Sequence, residues 1–186
     1  MILLDPDLEL DHAPRTTKAK RQAALKPQTT LRKDRVPTAR TLARFLNAAR
    51  SAVRLRGQVT VLLTTDAAIR RLNREFRGKN KATDVLSFPA GELVAAEFAG
   101  DLAISVPTAR RQAGEQGHAL GVEIKVLMLH GLLHLAGYDH EVDTGQMARR
   151  ERLLRARLGL PLGLIERAAE PKAAKPRKAA GRGAKR

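Results

Sequence analysis

Residues 120–136 read Leu120-Gly121-Val122-Glu123-Ile124-Lys125-Val126-Leu127-Met128-Leu129-His130-Gly131-Leu132-Leu133-His134-Leu135-Ala136, and they limit the fold more than any other stretch. A helix that is apolar on nearly every side needs packing partners on nearly every side. The segment therefore predicts a central helix, with Gly137 just past its end. Glu123 and Lys125 leave no apolar run of the ~18 residues that a membrane span requires, so no membrane partner is expected. His130 and His134 are four apart, which puts both imidazoles on one helical face. Leu132, Leu133 and Leu135 around them predict rings shielded from water, and buried imidazoles without partners cost free energy. Gly137 allows the chain to turn back, so that His140 can complete a three-nitrogen site at the end of the helix. Three protein ligands with a position left for water make the pattern of a catalytic zinc rather than a structural one. The chain has no cysteine, which excludes disulfides and thiolate sites. One Zn²⁺ per chain is the expectation, although imidazoles discriminate poorly among zinc, nickel, copper and manganese.

The residue after His130 is Gly131, where a His-Glu-x-x-His metallopeptidase carries its general base, so peptide hydrolysis is disfavoured. Hydrolysis by a metal-activated water stays open. The polar loop 77–84 suggests on what: Arg77, Lys79 and Lys81 surround Gly78. Arginine binds phosphate in a bidentate manner and offsets charge that develops during phosphoryl transfer. Arg77 is therefore a candidate catalytic residue, with Lys79 and Lys81 as phosphate-binding neighbours. The plain alternative is a solvated basic loop. Asp139 and Glu123, the latter seven residues before His130, are candidates to orient the histidine rings. On chemistry alone Asp84, Asp139 and Glu123 are acid or base candidates, while Thr83-Asp84 reads equally well as a structural turn.

The remaining pattern alternates helices and strands. Pro37-Thr38 opens a helix with Leu42, Phe45, Leu46, Ala49 and Val53 at helical spacing. Val59, Val61 and Leu63 alternate as in a strand, and Thr65 or Asp66 can cap a helix facing Ile69, Leu72 and Phe76 inward. Strands are expected at 85–88 and 101–105, a helix from Pro107 to about Gln116, and a last helix over 143–158 with Met147, Leu154 and Leu158 inward. Ile2-Leu3-Leu4 suits a short edge strand, but Pro6, Pro14 and Pro27 argue for extended chain. An α+β or α/β layer structure with a small sheet follows. Net charge is +16 and concentrated at the flanks. Residues 12–40 hold nine Lys/Arg against Asp34, and residues 171–186 hold seven with no acid. Such segments attract nucleic acid by counterion release. The expected division is a basic, poorly ordered extension over 1–36, a catalytic domain over 37–163 and a basic disordered tail over 164–186. The acidic N-terminus lacks a signal-peptide pattern, so a cytoplasmic protein is expected.

Three stretches together resemble the YbeY family of bacterial metal-dependent endoribonucleases, or rRNA maturation factors. Leu72-Asn73-Arg74-Glu75-Phe76-Arg77-Gly78-Lys79-Asn80-Lys81-Ala82-Thr83-Asp84-Val85-Leu86-Ser87-Phe88-Pro89 is similar to the family's long central signature. Gly100-Asp101-Leu102-Ala103-Ile104 resembles its next strand, and residues 130–140 follow its His-Gly-x-x-His-Leu-x-Gly-Tyr-Asp-His motif. Order and spacing agree from about residue 37 to 160. The resemblance implies zinc on His130, His134 and His140, and a functional arginine at Arg77. Lys79 and Lys81 would then guide an RNA backbone. It also implies an α+β fold with a small mixed sheet packed among helices. The implied substrate is single-stranded RNA, notably the 3′ end of small-subunit (16S) rRNA. The small ribosomal subunit is the implied partner, with a role in ribosome quality control. Residues 12–36 and 168–186 are basic additions that these motifs do not align to the family core. The competing reading is a non-enzymatic ribosome assembly factor whose metal is structural; a fourth protein ligand would favour it.

Overall fold

The computed structural model describes residues 1–8, 33–91 and 97–161. Helix α1, Ala39–Val53, starts where Thr38 stays extended and its hydroxyl accepts the Thr41 amide at 3.3 Å, a side-chain N-cap. Leu42, Leu46, Ala49 and Val53 form its buried stripe. Strand β2, Gln58–Thr64, buries the alternating Val59, Val61 and Leu63. Helix α2, Asp66–Arg77, is capped by Thr65, whose hydroxyl accepts the Ala68 amide at 3.2 Å. Gly78 ends it at φ 67°, in the left-handed region where glycine avoids a Cβ clash.

Strand β1, Ile2–Leu4, β3, Val85–Pro89, and β4, Phe98–Ser105, complete one four-stranded mixed sheet of order β1-β2-β4-β3. The first two pairings are parallel and β3 runs antiparallel to β4. Ile2–Leu4 is thus an edge strand, in register with Val61–Leu63. Its extra bonds come from beyond the strand ends: the Asp5 amide donates to the Leu63 carbonyl at 2.9 Å, and the N-terminal amine to the Val59 carbonyl at 2.5 Å. Residues 9–32 and 162–186, most of the two expected flanking segments, lie outside the described residues.

β4 begins three residues earlier than expected and runs directly into α3, Val106–Glu115. The Ser105 hydroxyl accepts the Thr108 amide at 3.1 Å, so the strand's last residue is also the helix cap. Helix α4, Leu120–Leu135, is the predicted central helix: it packs against α1, α3, β3, β4 and the last helix, α5, Gln146–Leu158. Among the described residues no single helix is long and apolar enough to cross a membrane. α5 starts three residues later than expected because Asp143 is spent on capping. Its carboxylate accepts the amides of Gly145, Gln146 and Met147 at 2.6, 3.1 and 2.7 Å. One inward assignment fails. Phe76 is 61% exposed and stands edge-to-face with Phe88, with ring centroids 5.1 Å apart. α2 lies over β4 and β3, and β3 is the sheet's outer strand, so the helix's last turn has little left to cover it.

Gly131 sets how closely α4 approaches the sheet. A Cβ there would stand 2.7 Å from Leu102 Cδ2 and 3.2 Å from Ser87 Oγ. That contact lies between His130 and His134 in sequence, so the turn bearing both histidines is pressed onto β3 and β4.

Candidate metal centre

The last turns of α4 carry His130 and His134 on one face, as four-residue spacing requires. The helix then stops in a Schellman turn. Gly137 takes φ 86°, its amide donates to the His134 carbonyl at 3.0 Å, and the Tyr138 amide donates to the Leu133 carbonyl at 3.0 Å. The reversal brings His140 back beside the pair. One ring nitrogen from each histidine lies within 4.8 Å of the other two. The ring centroids are 4.9, 5.3 and 5.3 Å apart. Exposure rises along the trio: His130 is buried, His134 half-buried and His140 exposed. The site therefore opens outward from the core.

His130 Nδ1 faces Glu151 Oε2 at 3.3 Å, and His130 Nε2 faces His134 Nε2 at 3.2 Å. A carboxylate only accepts, so the proton of a neutral His130 belongs on Nδ1 and a bare Nε2 lone pair points at the other histidines. Burial, then the neighbouring His130 and His140, then Arg77, push the His134 pKa down to about 4, against the opposing pull of Asp139. His134 is therefore neutral at pH 7, the form a metal ligand needs. Two nitrogens bound at ~2.0–2.1 Å to one tetrahedral ion stand roughly 3.3 Å apart, close to the observed 3.2 Å. The donor set fits a borderline cation. Among the described residues the cluster holds three histidines and no fourth ligand.

The histidines form one wall of a cleft of about 470 Å³ that Arg77, Asp84, Gln112, Asp139 and Glu141 also line. Arg77 thus reaches the site from the end of α2. Lys79 and Lys81 are exposed and are not among the residues lining the cleft. The loop that carries them is built rather than merely solvated. Buried Asn73 donates through Nδ2 to the Lys81 carbonyl at 2.7 Å, and its own carbonyl accepts the Lys79 amide at 3.2 Å. Arg70 Nε donates to Asn80 Oδ1 at 2.8 Å.

The carboxylate candidates separate. Asp84 accepts from the Val85 amide at 2.8 Å, the Thr83 hydroxyl at 3.1 Å and Gln112 Nε2 at 2.9 Å, which makes it a fixed corner of the loop. Asp139 stands in the cleft and accepts the Glu141 amide at 3.0 Å. Glu123 turns to His118 Nε2 at 2.5 Å. Seven residues at 1.5 Å rise put it about 10 Å along the helix from His130, so it does not orient the metal-site rings.

Glu151 occupies that place. Its other oxygen accepts from Arg155 Nε at 2.9 Å. The signal lay in the last helix: Met147, Glu151, Leu154 and Leu158 share one helical face, which sets a charged residue where an apolar one belongs. A side chain at Gly131, glutamate included, would run into Leu102.

The profile of the endoribonuclease YbeY family matches residues 21–159. The endoribonuclease YbeY of Koribacter versatilis is 54% identical over 140 residues, covering 74% of this chain and 90% of that protein. That of Solibacter usitatus is 61% identical over 106 residues, covering 57% of this chain and 69% of that protein. The solution structure of TM1509 from Thermotoga maritima aligns with a TM-score of 0.47 at 24% identity, covering 77% of this chain and 95% of that one. With three histidines converged beside an arginine, and a profile match across most of its length, this chain belongs to the endoribonuclease YbeY family.

Proposed function

We propose that this protein is a zinc-dependent endoribonuclease that cuts single-stranded RNA, acting in the cytoplasm on the 3′ end of small-subunit (16S) rRNA and in ribosome quality control. The observation that carries the reading is the shared cleft: the three histidine nitrogens and the Arg77 side chain face one space. His130, His134 and His140 would hold one Zn²⁺, which when bound supplies Lewis acidity toward a phosphoryl oxygen or a water. Arg77 binds the scissile phosphate through its guanidinium fork and offsets charge that builds as the P–O bond breaks. Lys79 and Lys81, outside the cleft, draw the RNA backbone toward it. Asp139, a cleft carboxylate next to His140, is the candidate to accept a proton from an attacking hydroxyl or water. Exposed Phe76, next to Arg77 in sequence, offers a face on which an unpaired base can stack. That contact is available to single strands and denied to a duplex. In this reading residues 37–163 form the catalytic domain, with Ile2–Leu4 added at its sheet edge, and the basic stretches within the flanks 1–36 and 164–186 strengthen contact with rRNA and the small subunit.

The test is cleavage of a precursor small-subunit rRNA 3′ end by metal-stripped and zinc-restored protein, with His134→Ala and Arg77→Ala alongside. Activity is expected only with zinc, with both variants folded and defective. Wild-type rates in both variants would overturn the reading. Zinc retention without cleavage would favour an assembly factor with a structural metal.

A further inference from the structure

We infer that Glu151 is a positioning residue for the metal centre: it fixes the tautomer of His130 that aims Nε2 at the cluster, and Arg155 clamps its carboxylate in place. The inference rests on the three histidines binding metal, as proposed above.

Three observations carry it. The side chains of His130, Glu151 and Arg155 are 7%, 1% and 2% exposed, so water is not at hand as a substitute acceptor for the His130 Nδ1 proton. The contacts run in one direction: Arg155 Nε donates to Glu151 Oε1 at 2.9 Å, and His130 Nδ1 faces Oε2 at 3.3 Å. Arg155 Nη1 also donates to the Pro161 carbonyl at 2.5 Å, which anchors the guanidinium from its far side. Finally, a buried ion pair is a poor stabilising device, because well-packed apolar residues of like volume are often as stable. This pair ends on a ring whose other nitrogen faces His134, so its consequence is orientation of that ring. Hydrogen-bonded carboxylates of this kind typically change metal affinity about 10–100-fold when altered.

Glu151→Gln is a discriminating variant because it keeps the shape and inverts the chemistry. The Arg155 N–H attracts the amide oxygen, which leaves the amide NH₂ facing His130 Nδ1. Two donors cannot share that contact, so the ring is driven to carry its proton on Nε2, where it blocks the metal. Zinc affinity of the full chain would be measured by chelator competition, with folding followed by circular dichroism. The ¹⁵N signals of His130 would be recorded for metal-free and zinc-loaded wild-type protein. We expect a loss of affinity of about 10–100-fold in Glu151→Gln, and in the wild type a proton on Nδ1 in both states. The wild-type spectrum decides the matter if the variant does not fold. Equal zinc affinity in a folded variant, or an Nε2–H tautomer in the metal-free wild type, overturns this inference alone. A wild-type protein that binds no zinc overturns the proposed function with it.

Discussion

The contact between Gly131 and Leu102 can be tested by a double-mutant cycle. In Gly131→Ala the new methyl would sit 2.7 Å from Leu102 Cδ2 and 3.1 Å from Cδ1. Leu102 is 1% exposed and cannot swing into solvent. Overpacking of this kind costs about 1–3 kcal/mol, while alanine gains about 1 kcal/mol over glycine within a helix. The net cost is therefore about 0–2 kcal/mol. Leu102→Ala alone opens a cavity and costs about 2–5 kcal/mol. In the double variant both Leu102 methyl carbons are gone, so only the 3.2 Å approach to Ser87 Oγ is left and the helix gain remains. The double variant should then be more stable than the sum of the singles predicts, by a coupling of about 1–3 kcal/mol. Urea unfolding of metal-free protein, compared at constant m-value, measures it. A coupling below ~0.5 kcal/mol would refute the claim that Gly131 governs the seating of the histidine turn on the sheet.

The folded His134 pKa of about 4 lies below the ordinary 6.5, so the unfolded chain takes up the proton first. Metal-free wild type should accordingly lose stability as pH falls from about 6.5 toward 4, and His134→Gln should show a shallower decline in the same titration. The three backbone amides on Asp143 hold its carboxyl below the usual 3.8, so its contribution is present above that value and fades as pH falls through the lowered one. Asp143→Ala should melt earlier than wild type at pH 7, with the gap closing in strong acid. Arg77→Ala should retain zinc while cleavage falls by about 10²–10³-fold, the scale for loss of one charge-stabilising group. Phe76→Ala should leave the fold intact and weaken single-stranded RNA binding by about 1–3 kcal/mol in a titration at fixed salt, with little effect on duplex RNA.

Much of this molecule is written in local pattern. Thr38 and Thr65 announced their helices because a hydroxyl ahead of an apolar repeat satisfies a free amide wherever it occurs. The all-round apolar character of residues 120–136 demanded a central helix, and four-residue spacing put His130 and His134 on one face before any partner was known. Gly137 foretold the turn that returns His140, since the left-handed conformation it adopts is costly for other residues. Contacts between distant segments were another matter. The parallel pairing of Ile2–Leu4 with β2, the exposure of Phe76 past the sheet edge, and the pairing of Glu123 with His118 depend on which element lies beside which. The same holds for Glu151 beneath His130. One-dimensional spacing marks it only as a charge on an inward face, and the packing of α5 against α4 turns that charge into a hydrogen-bond partner. Local rules of capping and periodicity thus determined the histidine trio. The tertiary structure alone decided what surrounds it, because hydrogen bonds and burial act over a few ångströms in space however far apart the residues stand in the chain.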